Sequence, residues 1–78
     1  MSIREILALN LRKRRQEIGL SQEELADRAD LDRTYISAIE RSVYAASVDV
    51  LERLARELKV EPSDMLKAPT SRRGARKT

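Results

Sequence analysis

The sequence has no cysteine and no histidine. Disulfides, thiolate zinc sites and cysteine nucleophiles are therefore excluded, as are ordinary imidazole ligands and imidazole general bases. No apolar run approaches the roughly 18–20 residues needed to cross a bilayer, and the N-terminus does not read as a signal peptide. The lack of cysteine fits a reducing cytoplasm. No pair of carboxylates is backed by a further catalytic group, so the chain reads as a non-enzyme with no cofactor and no metal site. With 78 residues it reads as one domain. A core of that size supplies only about 3–5 kcal/mol, and without a covalent or metal staple the expected extra stabiliser is self-association.

Charge is plentiful but unevenly placed. There are 16 basic and 13 acidic residues, net +3. Five of the basic ones (Lys67, Arg72, Arg73, Arg76 and Lys77) lie at the end with no acid among them, leaving 11 basic against 13 acidic, net −2, over residues 1–66. The folded part is not a uniformly basic body. A nucleic-acid surface on it must be a local patch, aided by the tail. The plain alternative is a solvated helical surface.

The pattern predicts five helices and a basic tail. Ser2 and Glu5 form a capping box, opening a helix over 3–18 in which Ile3, Leu7, Leu11 and Ile18 fall near one stripe. Gly19 stops it, because glycine tolerates the left-handed conformation. A second capping box, Ser21 with Glu24, opens a helix over about 22–29, with Leu25, Ala26 and Ala29 inward. Asp30-Leu31-Asp32 is a short turn, and Asp32 caps a helix over about 33–41 with Ile36 and Ile39 inward. After a loop from Ser42 to Ala46, Ser47 caps a helix over about 48–58. Val48, Leu51, Leu54, Ala55 and Leu58 repeat there at helical spacing. Pro62 suits the first position of a short fifth helix ending near Leu66. Residues 1–68 therefore read as the folded domain, and 69–78, having lost their apolar residues, as a disordered basic tail.

Two short helices joined by a tight turn, with a small residue in the first, make a helix-turn-helix. Ala26 is where the two helices would touch, and Leu31 plugs the turn. The second helix presents Arg33, Thr34, Ser37 and Ala38 outward, opposite Ile36 and Ile39. That face is small and polar with an arginine at its N-terminal end, which suits entry into a major groove. Arg33 can donate two hydrogen bonds to guanine O6 and N7; Thr34 can offer a methyl to thymine or a hydroxyl to phosphate. The plain alternative is a helical bundle that binds a protein.

The run Gly19-Leu20-Ser21-Gln22-Glu23-Glu24-Leu25-Ala26, with Ile36-Ser37-Ala38-Ile39-Glu40-Arg41, resembles the phage-repressor-like (Xre) helix-turn-helix family. Ser47, Leu51, Leu54-Ala55, Leu58, Val60 and Leu66 also match its consensus. The stretch from Leu31 to Ser37, followed by Ile39-Glu40-Arg41, is similar to controller proteins of restriction-modification systems. The resemblance implies an all-α, five-helix, lambda-repressor-like DNA-binding domain. It makes Arg33 the principal base reader, with Thr34, Ser37 and Ala38 beside it. It makes Gln22, at a helix N-terminus, a phosphate ligand, and brings the Tyr35 hydroxyl near the DNA. Arg15 and Glu40 map onto a structural ion pair. Arg41 is either a phosphate contact or a helix C-cap. The sequence departs from the family at Ser42, where glycine is usual, at Ala46, where proline is usual, and at Val43 and Tyr44, which are commonly polar or basic. Tyr44 suits either a sugar contact or a dimer seam.

The expected function is a dimeric regulator of transcription on a palindromic operator of double-stranded DNA. The rival is an antitoxin-like or adaptor module that mainly holds a partner protein. Val50, Met65 and Leu66 exceed what one small core should need and are expected at the homodimer seam. The acidic residues Glu23, Glu24 and Asp27 either complement the helix dipole or touch a basic surface of RNA polymerase.

Overall fold

Local capping sets where every helix begins. In the computed structural model, which describes residues 1–68, α1 spans Ile3–Ile18, α2 Gln22–Ala29, α3 Arg33–Glu40 and α4 Val48–Leu58. The Ser2–Glu5 and Ser21–Glu24 boxes are both closed in each direction. Asp32 accepts from the Thr34 amide, and the Ser47 hydroxyl accepts from the Val50 amide. Each α-helix start thus has one of its otherwise unpaired amides satisfied by a side chain.

The fifth helix differs from expectation. Pro62–Leu66 is a 3-10 helix, so the described residues form four α-helices and one 3-10 helix. Five residues beginning with proline are too few for an i→i−4 ladder, and the Asp64 amide instead donates to the Glu61 carbonyl at 2.9 Å, an i→i−3 bond. The expected basic tail lies outside the described residues. No described helix is long and apolar enough to cross a membrane.

All four α-helices end in the same closure. A left-handed residue donates three residues back and the next donates five back: Gly19 with Leu20, Asp30 with Leu31, Ser42 with Val43, and Lys59 with Val60. These paired bonds form the Schellman motif, which needs a left-handed residue at its bend. The φ angles there are 87° at Gly19, 59° at Asp30, 63° at Ser42 and 59° at Lys59. Only one of the four is glycine, so the other three each carry a backbone cost of about 1–2 kcal/mol. α3 differs in one respect: it ends at Glu40, one residue earlier than expected, and Arg41 stands between the helix and the left-handed Ser42.

The core consists of Leu7, Leu11, Leu20, Leu25, Ala26, Ile36, Ile39, Val50, Leu54, Leu58 and Met65, among others. α2 packs against α3 and α4, while α1 packs against α3 and the 3-10 helix. The Asn10 amide fixes that last turn, donating at 2.8 Å to the carbonyls of both Met65 and Lys67. Arg14 Nε donates to the terminal Leu58 carbonyl of α4 at 2.9 Å.

Four apolar expectations are corrected. Val50 is 9% exposed and Met65 1%, so both belong to the core of the single chain and not to a dimer seam. Val48, expected inward, is 82% exposed, and Ile3 is 55% exposed. The reason for Val48 is rotational: two residues along a helix is about 200° of turn, so Val48 and Val50 cannot share a face. Val50, Leu54 and Leu58 hold the inner stripe.

Candidate nucleic-acid interface

The candidate reading face is built on α3, whose inner side is fixed by Ile36 and Ile39, both fully buried. α2 lies across its back, and fully buried Ala26 leaves room for that close crossing. Arg33 and Thr34 are exposed on the first turn of α3, and Ser37 and Ala38 are half-buried one turn on. Among the described residues no carboxylate pairs with the Arg33 guanidinium. It therefore projects from the helix start as an uncommitted planar donor.

Thr34 differs from expectation. Its hydroxyl donates to Asp32 Oδ1 at 2.6 Å, and its amide donates to the same oxygen at 2.8 Å. The hydroxyl first, then the amide, holds the Asp32 carboxyl below its ordinary range. With its proton committed to Asp32, Thr34 can show an outside partner its methyl and oxygen lone pairs. It cannot also donate to a phosphate.

The expected ion pair is present and reaches further than expected. Arg15 Nε donates to Glu40 Oε2 at 2.7 Å and Arg15 Nη2 to Glu40 Oε1 at 2.9 Å, a bidentate pair. The two side chains are only 11% and 4% exposed. Glu40 raises the Arg15 pKa further, chiefly through this hydrogen bonding. A third Arg15 nitrogen donates to the Leu20 carbonyl at 2.9 Å. Gln22 Nε2 then donates to Glu40 Oε1 at 3.1 Å. Gln22, the candidate phosphate ligand on the first turn of α2, is thus tied to the far end of α3 and through it to α1. No spacing in the sequence announces this link, because it joins three helices. One Gln22 amide hydrogen and its oxygen stay free for another partner.

Arg41 has an exposed side chain, and its backbone caps α3 by donating to the Ser37 carbonyl at 3.0 Å. Its two expected roles therefore concern different atoms. Beyond it, the Tyr44 ring lies against that of Tyr35, with centroids 5.0 Å apart and planes at 74°. Tyr35 is half-buried and packs on the core. The acidic residues of α2 also separate: the Glu24 carboxylate accepts from the Ser21 amide, while Glu23 and Asp27 are exposed.

A short helix seated across a second one, with an uncommitted arginine at its open end, is the arrangement on which comparison with known proteins bears. Residues 11–65 match the helix-turn-helix family. This chain belongs to that family. It is 41% identical over 70 residues to a hypothetical transcription factor of Neisseria meningitidis, covering 90% of this chain and 66% of that protein. It therefore spans just under two thirds of that relative's length. The crystal structure of the Neisseria protein superposes with a TM-score of 0.84, covering 87% of this chain and 78% of the other. The restriction-modification controller protein C.AhdI of Aeromonas hydrophila is 35% identical, with a TM-score of 0.77 over 80% of this chain and 94% of that one. The master regulator for biofilm formation SinR, solved in complex with DNA, is 31% identical with a TM-score of 0.76, over 78% and 98% of the respective chains. The helix-turn-helix chain described here thus has transcriptional regulators, restriction-modification controllers among them, as relatives.

Proposed function

We propose that this helix-turn-helix chain binds double-stranded DNA as a homodimer, reads a palindromic operator and regulates transcription, in the way of a restriction-modification controller. The observation that carries the reading is Arg33: exposed at the open end of α3 and without an ion-pair partner among the described residues, on a helix whose Ile36 and Ile39 are fully buried. Arg33 is the base reader, with the Thr34 methyl and lone pairs, Ser37 and Ala38 beside it. Gln22, Tyr35 and Arg41 are the phosphate ligands.

The dimer seam is reassigned to residues that stay outside the core. Ile3, Val48, Leu51 and Leu66 line one apolar groove between the start of α1, the start of α4 and the end of the 3-10 helix. A second copy meeting this groove buries apolar surface that the single chain leaves wet. Leu66 was expected at the seam from sequence, whereas Ile3, Val48 and Leu51 replace Val50 and Met65. Exposed Glu23 and Asp27, free of the cap that holds Glu24, are the candidate contacts to a basic surface of RNA polymerase. Reversing both charges should remove activation while leaving operator affinity intact.

Footprinting on DNA from the region upstream of the protein's own gene tests the reading. Two protected half-sites about 34 Å apart are expected, one turn of the duplex. Protection of a single half-site, or none, would refute it.

A further inference from the structure

We propose that Tyr44 is a positioning residue for Tyr35: its ring adds a second contact to the Tyr35 ring and delivers the Tyr35 hydroxyl to the DNA in one orientation. The inference rests on the reading of α3 given above and extends it to the loop that follows.

Ser42 turns the chain through the left-handed region, with φ of 63°. Its amide donates to the Ile39 carbonyl at 3.0 Å and the next amide, of Val43, donates to the Ala38 carbonyl at 3.1 Å. The loop is thereby bent back along α3, and Tyr44 comes to lie on Tyr35, which sits on the first turn of that helix. The Tyr35 ring also packs, half-buried, on the core. Tyr44 adds a second contact to that ring. A separation of 5.0 Å at 74° is the edge-to-face arrangement in which the positive edge of one ring meets the negative face of the other. Such a pair has a preferred geometry, unlike a greasy contact.

Three further observations give the pair a purpose beyond stability. Tyr44 is 52% exposed and lies outside the buried core, so its contact with Tyr35 is made at the surface. Among the described residues neither phenol hydroxyl has a hydrogen-bond partner. And Tyr35 lies on the first turn of α3, the end that carries Arg33, about 200° round the helix from it, so it meets a partner at that end from the flank and not from the face of Arg33. A hydroxyl on a ring held by two contacts, the core and Tyr44, loses little conformational freedom on binding, which is how fixing a group in its bound orientation raises affinity.

The test is a double-mutant cycle on the duplex mapped by footprinting, read by fluorescence anisotropy, with ring-proton NMR shifts of Tyr35 as the structural readout. The chain has two tyrosines and no other aromatic residue, so a ring-current shift on one reports on the other. Tyr44→Ala should weaken binding about two- to tenfold, the range for ordering one side chain on binding. It should also move the Tyr35 ring protons toward their free positions and lower the thermal midpoint by only several degrees, leaving the domain folded. Tyr44→Phe keeps the ring and should restore both. In a Tyr35→Phe background, which lacks the delivered hydroxyl, Tyr44→Ala should weaken binding no further. An equal loss in both backgrounds would overturn the proposal, since Tyr44 would then act by another route. So would a Tyr44→Phe variant as weak as Tyr44→Ala, which would make Tyr44 a direct ligand. Wild-type protein that fails to bind the duplex defeats the proposed function itself, and that result is seen before any variant is made.

Discussion

The two junctions that flank α3 start alike and end differently. Both open with a left-handed residue that is not glycine, Asp30 before α3 and Ser42 after it, and both close with the same pair of backbone bonds. Then they part. The residue following Asp30 is Leu31, half-buried and packed on the core. The residue following Ser42 is Val43, 59% exposed. The first junction is held by the hydrophobic effect acting through the whole domain. The second is held by its own backbone bonds and by the Tyr44 ring. The same local geometry therefore yields a turn anchored in the core on one side of the reading helix and a loop anchored at the surface on the other. What separates them is where the next side chain goes.

The hardest blow to the core-anchored side is Ala26→Leu. The site is fully buried at the helix crossing, and overpacking there should cost about 3 kcal/mol, the upper end for such changes. Urea unfolding should show a chain near the edge of stability. Arg33→Ala comes next: about 1–3 kcal/mol lost on the operator, much less on random DNA, and almost no change in melting temperature. Gln22→Ala should weaken both DNAs by similar factors, and titration of both duplexes separates the two roles. Equal loss from Arg33→Ala on both DNAs would make it a phosphate anchor and move base reading to the loop or to Ser37.

The comparison itself is sharpened by truncating its two divergent side chains. Leu31→Ala should destabilise by about 1–2 kcal/mol, as expected for a half-buried leucine. Val43→Ala should stay within about 0.5 kcal/mol. Matching losses in chemical denaturation would erase the distinction. Ser42→Gly relieves a left-handed serine and should stabilise by up to about 1 kcal/mol, the relief being offset in part by the greater freedom of glycine in the unfolded chain. The smallest effect concerns pH. α3 is capped by the Asp32 carboxylate and α4 by the Ser47 hydroxyl, so only the first cap titrates. The Asp32 pKa is depressed in the fold. Its contribution is full above the ordinary aspartate range and is lost as pH falls through the lowered value. The Thr34 amide shift should follow that titration in NMR while the Val50 amide does not.

What could be read from the sequence was what is local. Ser2, Ser21, Asp32 and Ser47 each act within three residues, so helix starts were visible in the letters, as was the face carrying Arg33. The ion pair of Arg15 with Glu40 came through family resemblance. Three things were hidden. Val48 and Val50 look interchangeable until the helix is docked and one phase is chosen. Met65 looks like surplus until Asn10 fixes its turn against α1. The Thr34 hydroxyl looks free until its rotamer is known. Each depends on how elements are placed in space, and no single window of sequence contains that information.

The buried bridge from Arg15 through Glu40 to Gln22 has a consequence for genetics. It fastens three helices into one piece, so a phosphate ligand and a reading helix cannot shift independently. A substitution at Arg15, on the far side of the bridge, should therefore emerge from a screen for lost operator binding alongside Arg33 itself. Classifying such variants by their distance from the DNA would put Arg15 in the wrong group.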